Sequence, residues 1–542
     1  IGSGLVGSEM CIRDRVTTKY ERKFNSENAA VVDQEHLGGV IGQCEGSIVD
    51  CTNRGTVDQA SDPRTVNAGG ICGFVRNAAE SLSGNANEGE VRIGGAVTLA
   101  TVGGVYGSFG KAQTVADAAT TNRGGVTVSG IESIEGAYLR LGGIVGFAYP
   151  GTVLSNLTNA GDMTVDLQSK FSYYAVGGIA GSVECGASSC VNEGSLRLNN
   201  NQLLTKGMCK IFVGGIVGIN YRPTDDGPHI YEDCANRAEI GFATTDNAFK
   251  VLPSFTGGIL GYTEHPVEVR NCEGAAYINV NNANAKENGI FTATGGIVGA
   301  VKGTAALIEK CHVTADVRHY QYNNTWDDPL SAANGGGIVG CALGADEVNR
   351  IAITGCSCSG MVESKRSGAA GIVGYARFSD ISDCGFTGGI EGSGPHFAGG
   401  IAGTLANSTI AGCTVKAKNI YGHNASSPSL IGVSGIAAYV VGVSSVSDCK
   451  AYATLIRNST VLGTEDASVT PDNLFGMGMI VGIDAGTTTV TNCGVGGSFY
   501  LGASEKPQEL ILTLDADSYA KGIIGSGKTA TVGGCYYWNG EE

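Results

Sequence analysis

Short runs of apolar, often β-branched residues alternate with glycine and polar turn residues from about residue 37 to the end of the chain. The most regular pattern is Gly-Gly-Ile-x-Gly, as in residues 142–146 around Ile144. Fourteen copies, from Val40 to Ile523, follow one another at intervals of 29–44 residues, and the third position is Ile or Val in each. Such runs, broken by Gly, Asn and Asp, predict short strands and turns and not helices.

A second pattern, apolar-x-x-Cys with a turn residue just before the cysteine, follows each copy of the first. Eleven of the fourteen copies carry this cysteine. The other three copies have Asn85, Thr120 and Leu157 there. Early copies add Asn-x-Gly, as at Asn159 and Gly161, whereas later copies have an apolar residue such as Val313 at the Asn position. Asn and Asp tolerate left-handed backbone geometry, so we expect them to form and cap turns.

Repeats of this length cannot bury an apolar face alone, which predicts that they stack on one another. In a parallel stack, successive coils pair about 4.8 Å apart, so equivalent residues lie above one another. We expect the repeated Ile to form an inward column, and the glycines to supply positive φ and close approach at the bends. The sequence predicts an all-β parallel β-helix or β-solenoid of about fourteen coils. Loop insertions are expected around 224–230, 320–330, 421–430 and 459–472.

Blades of a β-propeller are the alternative, because about 40 residues per blade would fit the spacing. Propellers have about four to eight blades of four strands each. This chain has fourteen units with about two firm strands apiece. The solenoid is therefore favoured.

Two predicted columns define the structural core. The isoleucine column contains Ile144, Ile179, Ile216, Ile259, Ile297 and Ile338. The cysteine column contains Cys51, Cys190, Cys234, Cys272, Cys311, Cys356, Cys384, Cys413, Cys449 and Cys493, with Cys535 as the eleventh. Cysteine packs as a small hydrophobe, so buried thiols are expected, although the coil spacing also permits disulfides between neighbours. A line of single thiolates is not the tetrahedral set that zinc needs, so we predict no metal and no cofactor.

Composition and charge narrow the function classes. Glycine makes up 86 of 542 residues, charged residues are only 16%, and the net charge is −16. An acidic surface repels phosphate backbones, so we expect no nucleic-acid partner. No apolar run approaches the length of a membrane-spanning helix, so no transmembrane segment is predicted in this fragment.

The beginning of the chain differs from the rest. Residues 7–15 resemble a translated sequencing-adapter fragment, so we interpret residues 1–15 as an artefact. Residues 16–36 would be a lead-in segment, and residues 37–542 a single repeat domain. We expect truncation at both ends, with the export signal outside this fragment, because no capping element follows the last repeat.

The two motifs resemble the GLUG repeat, whose pattern is close to Gly-Gly-Leu-Val-Gly followed by Ile-x-Asn-Cys. Residues 142–165 and 257–280 match it best, with Ile replacing Leu, and the resemblance covers nearly all of the chain from residue 37. Later copies lack Asn-x-Gly and match less well. The resemblance implies an exported bacterial surface protein, often from Bacteroidota. Some such proteins accompany metallopeptidase domains, but this chain has no His-Glu-x-x-His.

Candidate chemistry is sparse. A speculative ligand-binding segment contains Tyr320, Tyr322, Trp326, Asp327 and Asp328, where the aromatic rings would stack on a sugar. Asp225 and Asp226 near His229 form a second polar cluster. The seven histidines are expected in surface loops, and threonine is too scattered to predict a flat ice-binding array.

We therefore predict a non-catalytic scaffold at the cell surface or outside the cell, with host or environmental glycans or proteins as partners and with no catalytic residues. The alternative is a β-helix carbohydrate-active enzyme, a polysaccharide lyase or hydrolase. That function needs several carboxylates on one face, and neither acidic cluster recurs in an adjacent repeat.

Overall fold

The computed structural model describes residues 11–12, 16–18, 34–59, 65–166, 171–200, 210–220, 227–244, 254–282, 292–321, 333–365, 368–391, 397–423, 431–458, 476–502, 512–527 and 530–541. These residues are nearly all in strands and turns, and none of them forms an α-helix. The predicted fold class, a parallel β-solenoid, is confirmed. The chain divides into two compact units, Ile1–His265 and Pro266–Glu542.

Each coil is built from up to five short strands, which we call segments a to e. In the coil around Ile179 they are Phe171–Gly177, Ala180–Val183, Ala187–Ser188, Val191–Asn192 and Leu196–Asn200. Within each unit, a segment pairs in parallel register with the same segment of the next coil, as Ala180 does with Val217. The sequence revealed only about two of these strands per repeat, because segments c and d are two residues long in many coils.

In the first unit, segments of the same class recur as follows. Segment a is Gln34–Gly38, Thr65–Gly69, Phe171–Gly177, Lys210–Gly214 and Ser254–Gly257. Segment b is Ile41–Cys44, Cys72–Val75, Tyr106–Phe109, Val145–Ala148, Ala180–Val183, Val217–Asn220 and Leu260–Thr263. Segment c is Ile48–Val49, Leu82–Ser83, Thr114–Val115, Val153–Leu154, Ala187–Ser188 and His229–Glu232.

The remaining strands of the first unit complete its coils. Segment d is Thr52–Asn53, Ala86–Asn87, Thr121–Asn122, Thr158–Asn159, Val191–Asn192 and Ala235–Asn236. Segment e is Val57–Gln59, Met163–Asp166, Leu196–Asn200 and Ile240–Thr244. Val91–Gly103 and Val126–Gly142 are long strands that contain segment e of one coil and segment a of the next.

In the second unit, segment c comes first. It is Val267–Arg270, Ala306–Glu309, Ile351–Thr354, Ser379–Ser382, Thr409–Ala411, Val443–Ser447, Thr487–Thr491 and Thr531–Gly533. Segment d is Glu273–Gly274, His312–Val313, Ser357–Cys358, Gly385–Phe386 and Tyr536–Tyr537. Segment e is Ile278–Asn282, Val317–Gln321, Val362–Lys365 and Ile390–Glu391. Segments d and e are joined in Thr414–His423, Lys450–Asn458 and Gly494–Gly502.

Segments a and b complete the second unit. Segment a is Thr292–Gly295, Ala333–Gly336, Gly368–Ala370, Phe397–Gly399, Gly432–Ser434 and Met477–Gly478. Segment b is Val298–Lys302, Val339–Leu343, Val373–Arg377, Ala402–Ala406, Ala437–Val441, Val481–Asp484 and Ile524–Ser526. Leu512–Leu514 pairs antiparallel with Gly497–Phe499, and Tyr519–Gly522 is a short 3₁₀ helix.

The Gly-Gly-Ile corner joins segments a and b, and its isoleucine points inward. The six isoleucines of the predicted column are completely buried. A Cβ on Gly177 would lie 1.9 Å from the carbonyl oxygen of Ala180, and one on Gly178 would lie 2.0 Å from that of Gly215. None of the motif glycines within the described ranges has a positive φ. The expectation of positive φ at these glycines is therefore wrong, and close backbone approach alone requires them.

Residues with positive φ recur instead just before the cysteine position. Asp50, Asn156, Ser189 and Lys310 have φ between 51 and 56° there, and Gly355 occupies the same place in a later coil. This conformation costs an ordinary side chain free energy, which explains why Asp, Asn and Gly are frequent at this position. The amides of these residues donate to the next coil, as Ser189 does to the Glu232 carbonyl at 2.9 Å.

The asparagines of Asn-x-Gly cap the turns that follow them, as predicted, and they also form a buried ladder in the first unit. Asn53, Asn87, Asn122, Asn159, Asn192 and Asn236 are all in segment d and completely buried. Each of the first five donates from Nδ2 to Oδ1 of the next asparagine at 2.8–2.9 Å. The same nitrogen donates to the carbonyl two residues later, as Asn159 does to Gly161 at 3.1 Å. The amides thus satisfy one another inside the core.

The second glycine of the corner packs against this ladder. A Cβ on Gly178 would lie 2.4 Å from Cγ of Asn192. In the second unit the same place is taken by apolar groups, and a Cβ on Gly371 would lie 2.2 Å from Cγ of Phe386. The two sequence motifs are therefore in direct contact in each coil.

Two short strands near the start of the chain also pair with the first coil. Cys11–Ile12 runs parallel to Thr52–Asn53, and Val16–Thr18 runs parallel to Val57–Gln59. Cys11–Ile12 belongs to the segment that we interpret as an artefact. Its origin, the lead-in segment and the single domain over 37–542 stay predictions.

Replacing Asn159 by Asp should destabilise the first unit. A carboxylate cannot donate to Asn192 or Gly161, and it would face two acceptors in a buried place. We expect the free energy of unfolding to fall by about 3 kcal/mol or more, measured by chemical denaturation. Asn156→Asp is the control, because Asn156 is exposed and Asp50 has the same position in another coil. Equal losses in both variants would contradict the ladder.

The expectation that all of the histidines lie in surface loops is wrong. His319 and His265 are buried, and His319 belongs to segment e. Thr294 Oγ1 lies 2.7 Å from Nδ1 of His319, while Nε2 has no hydrogen-bond partner. Burial lowers the pKa of His319 from 6.5 to about 3. The histidine stays neutral in the folded protein because a charged imidazolium buried there would not be hydrated.

His319 should make the second unit less stable in acid. Between pH 6.5 and pH 3 the unfolded chain protonates this histidine and the folded chain does not, so stability falls as the pH drops. At pH 4.5 the loss relative to pH 7 should be about 3 kcal/mol. Guanidinium unfolding at both pH values should show that His319→Gln reduces this loss. The exposed His312, replaced by Gln, is the control, and an equal reduction there would refute the assignment.

Candidate binding site

Variation in repeat length is greatest at one junction of the coil, between segment e and the next segment a. Val91–Gly103 passes through this junction as one strand. In other coils the junction contains the ranges 60–64, 167–170, 201–209, 245–253, 283–291, 322–332, 366–367, 392–396, 424–430 and 459–475, which lie outside the described residues. Because the flanking strands are stacked in register, their ends follow one edge of each unit. We call this the e–a edge. The predicted insertion around 224–230 lies instead between segments b and c, where 221–226 are outside the described residues.

The predicted ligand-binding segment belongs to this edge in the second unit. Tyr320 lies in the strand Val317–Gln321, not in a loop as expected. Tyr322, Trp326, Asp327 and Asp328 lie outside the described residues, so their arrangement stays a prediction.

Tyr320 is part of a cluster on the outer face of segment e. Arg318 Nε lies 2.6 Å from Glu363 Oε2, and the Tyr320 hydroxyl donates to the same oxygen at 2.7 Å. The Arg318 guanidinium is 5.0 Å from the centre of the Tyr320 ring and 5.4 Å from that of Tyr277. The cluster therefore presents two aromatic rings around a cation, beside the start of segment 322–332.

The charges of the cluster are fixed by these contacts. Partial burial raises the pKa of Tyr320 to about 12, and the hydrogen bond to Glu363 acts in the same direction. Burial acts to raise the pKa of Glu363, but the hydrogen bonds from Arg318 and Tyr320 outweigh it and lower the pKa. Glu363 is therefore ionised and its charge is balanced by Arg318, which suits binding better than proton donation.

Sequence reasoning missed Tyr277, Arg318 and Glu363. Arg318 pairs in register with Asn279 in one neighbouring coil and with Glu363 in the other. The residues are about 40 positions apart, and only the register of segment e brings them together. An alignment of the repeats on segment e would have placed Arg318 beside Glu363 in the next repeat.

The second polar cluster is only partly described. Asp225 and Asp226 lie outside the described residues. The His229 ring packs on His265 with centroids 4.0 Å apart, and Nδ1 of His229 lies 2.9 Å from Nδ2 of Asn220. His265 Nε2 lies 2.9 Å from the Gly227 carbonyl oxygen. These histidines contact each other and the turn around them.

The column cysteines lie inside the coils, except that Cys51 and Cys535 are half-buried. From Cys44 onward, the cysteines of the described ranges are free thiols. Their Sγ atoms donate to the carbonyl two residues earlier, as Cys272 does to Arg270 at 3.2 Å. Contact with neighbouring thiols and burial raise the pKa of Cys413. Among the described residues, no three His, Cys, Asp or Glu side chains are grouped to hold a metal ion.

No family model, curated protein or solved structure matches this chain. The described residues also include no helix with the length and apolar character that crossing a bilayer requires.

Chemical labelling should separate the two kinds of column cysteine. In the native protein, iodoacetamide should modify Cys51 and Cys535 well before the buried Cys311 and Cys413, because alkylation needs an accessible thiolate. Peptide mapping by mass spectrometry identifies each site, and labelling in denaturant gives the full reference. Equal rates in the native protein would contradict the buried column, and unlabelled pairs in denaturant would indicate disulfides.

Proposed function

We propose that this chain is a non-catalytic scaffold of an exported or cell-surface bacterial protein, and that it binds glycans or proteins through groups displayed along its e–a edge. Location and source rest on the motif resemblance. The binding role is supported by the variation in repeat length, which is greatest at one junction of the coil. Loops positioned by a rigid framework are the usual carriers of recognition.

The interior chemistry also supports a scaffold. The buried asparagine amides bond to one another and to their own turns, and the buried thiols bond to nearby carbonyls. These polar groups serve the stacking of coils and are not available to a substrate.

The Tyr320 cluster supports glycans as the first class to test. Aromatic rings stack on the apolar faces of sugars, and the ionised Glu363 can accept hydrogen bonds from hydroxyl groups. The lowered pKa of Glu363 disfavours a role as a general acid. An enzyme of the lyase or hydrolase type would need two or more carboxylates placed around the scissile bond, one of them a proton donor.

Glycan-array binding tests this proposal. The fluorescently labelled chain should bind a subset of immobilised glycans without releasing shortened products. Replacing Tyr320 or Trp326 by Ala should weaken binding about tenfold or more, which corresponds to losing one aromatic contact. Tyr149→Ala is the control, because Tyr149 is exposed and lies in the first unit outside the e–a edge.

The outcomes separate the alternatives. Release of shortened sugars would contradict the scaffold and favour the enzyme. Unchanged glycan binding by both edge variants would remove this cluster as the site. Absence of binding to any glycan or host-cell protein would contradict the proposed function itself.

A further inference from the structure

The outer face of segment c in the second unit gathers hydroxyl groups that are scattered in the sequence. Asp380, Thr409, Ser445 and Thr489 pair in register, one from each of four successive coils. The residues that follow them, such as Ile410 and Val446, are buried, so the hydroxyl column faces outward. These hydroxyl positions show no regular spacing along the chain, because the repeat length varies and only the register of segment c aligns them.

Arg350 fixes one wall of this face. Its Nε and Nη2 donate to the two carboxylate oxygens of Asp380, each at 2.8 Å, and Nη2 also donates to the Ser379 carbonyl at 3.0 Å. Nη1 donates to Glu347 at 2.6 Å and to the Asn407 carbonyl at 3.4 Å. The side chain is only 19% exposed. All of the guanidinium N–H groups are therefore used, and both carboxylates are held in place.

A cleft of about 500 Å³ lies between this wall and the hydroxyl column. Thr409, Ser445 and Thr489 line it, together with Val443, which has 73% of its surface exposed. Thr409 Oγ1 donates to Asp380 Oδ1 at 2.7 Å, which links the column to the wall. The cleft thus combines fixed acceptors, hydroxyls that both donate and accept, and one exposed apolar side chain.

These groups exclude two classes of ligand and favour a third. An anion would find no free donor on Arg350 and would face two carboxylates, in a chain whose net charge is −16. A metal cation would lie beside the Arg350 charge that already neutralises Asp380. A neutral polyol can donate to the carboxylates, exchange hydrogen bonds with the hydroxyl column and place a carbon face on Val443.

We propose that this cleft binds a neutral glycan chain that follows the column from Asp380 to Thr489. The inference rests on the proposed binding function and gives it a second site, distinct from the Tyr320 cluster. One hydroxyl or carboxylate per coil, about every 4.8 Å, provides repeated contacts for a repeated ligand. Because Arg350 holds the carboxylates in position, little conformational entropy is lost on binding.

The test uses neutral and acidic polysaccharides as probes. Affinity electrophoresis of the full chain in gels containing mannan, xylan, dextran or polygalacturonate gives relative affinities, and calorimetry gives Kd for the best probe. Thr409→Val with Thr489→Val removes two hydroxyls at nearly constant shape. We expect Kd for a neutral polysaccharide to rise about tenfold or more, since each lost hydrogen bond contributes severalfold.

Matched variants keep the test specific. Ser447→Ala with Thr491→Val changes the neighbouring hydroxyls on two of the same strands and should leave Kd unchanged. Ser445→Trp should fill the cleft and also weaken binding. Thermal unfolding of every variant shows that the coils remain folded, so a loss of binding is not a loss of structure.

The result can refute glycan binding in the cleft without refuting the proposed function. Wild-type binding that is lost in Tyr320→Ala but kept in all cleft variants would refute the cleft and retain the e–a edge. Preference for polygalacturonate, or no binding to any neutral polysaccharide, would also refute it. The glycan and host-protein assays for the edge then decide the proposed function separately.

Discussion

Parallel pairing in register is the constraint on which the rest of this structure depends. It places each residue directly above its counterpart, about 4.8 Å away, so every interior position must tolerate contact with its own kind. Isoleucine does so by packing, cysteine by packing as a small thiol, and the asparagine amide by donating and accepting at once. A charged side chain repeated in every coil would meet like charge in the next coil, which explains why the three repeated columns consist of isoleucine, cysteine and asparagine.

The two units solve the same packing problem with different residues. In the first unit the second position of segment d is an asparagine in coil after coil, and its amide ladder holds the turn that follows. In the second unit that position is apolar, as at Val415, and every segment d is preceded by a column cysteine. Both solutions leave the corner glycine in contact with segment d, so glycine is required whichever side chain it meets.

Periodic residues could be predicted from the sequence, because periodicity is what stacking produces. The Ile179 column, the turn residue before each cysteine and the turn-capping role of the asparagines were found in this way, whereas the hydrogen bonds between asparagines of neighbouring coils were not. Asn-x-Gly is a frequent turn signal, and nothing local distinguishes a turn asparagine from one whose amide bonds to a copy of itself 33 residues away. The Arg318–Glu363 pair could not be predicted for the same reason. The two residues are far apart in the sequence, and only the register of the strands brings them together.

The position of the variable ranges follows from the same constraint. Unless a β-bulge absorbs it, one residue added within a paired segment would move the later side chains of that segment to the opposite face, which would expose the core columns. Added residues at the e–a junction leave the register intact, and doubling the length of a loop costs only about 0.6 kcal/mol in closure entropy. Within a paired segment an extra residue needs a local register shift, such as the one between Ala417 and Asn419, while the edge can change in length and composition at small energetic cost. Diversity in what such a coil recognises would accumulate there, with the register of the framework preserved beneath it.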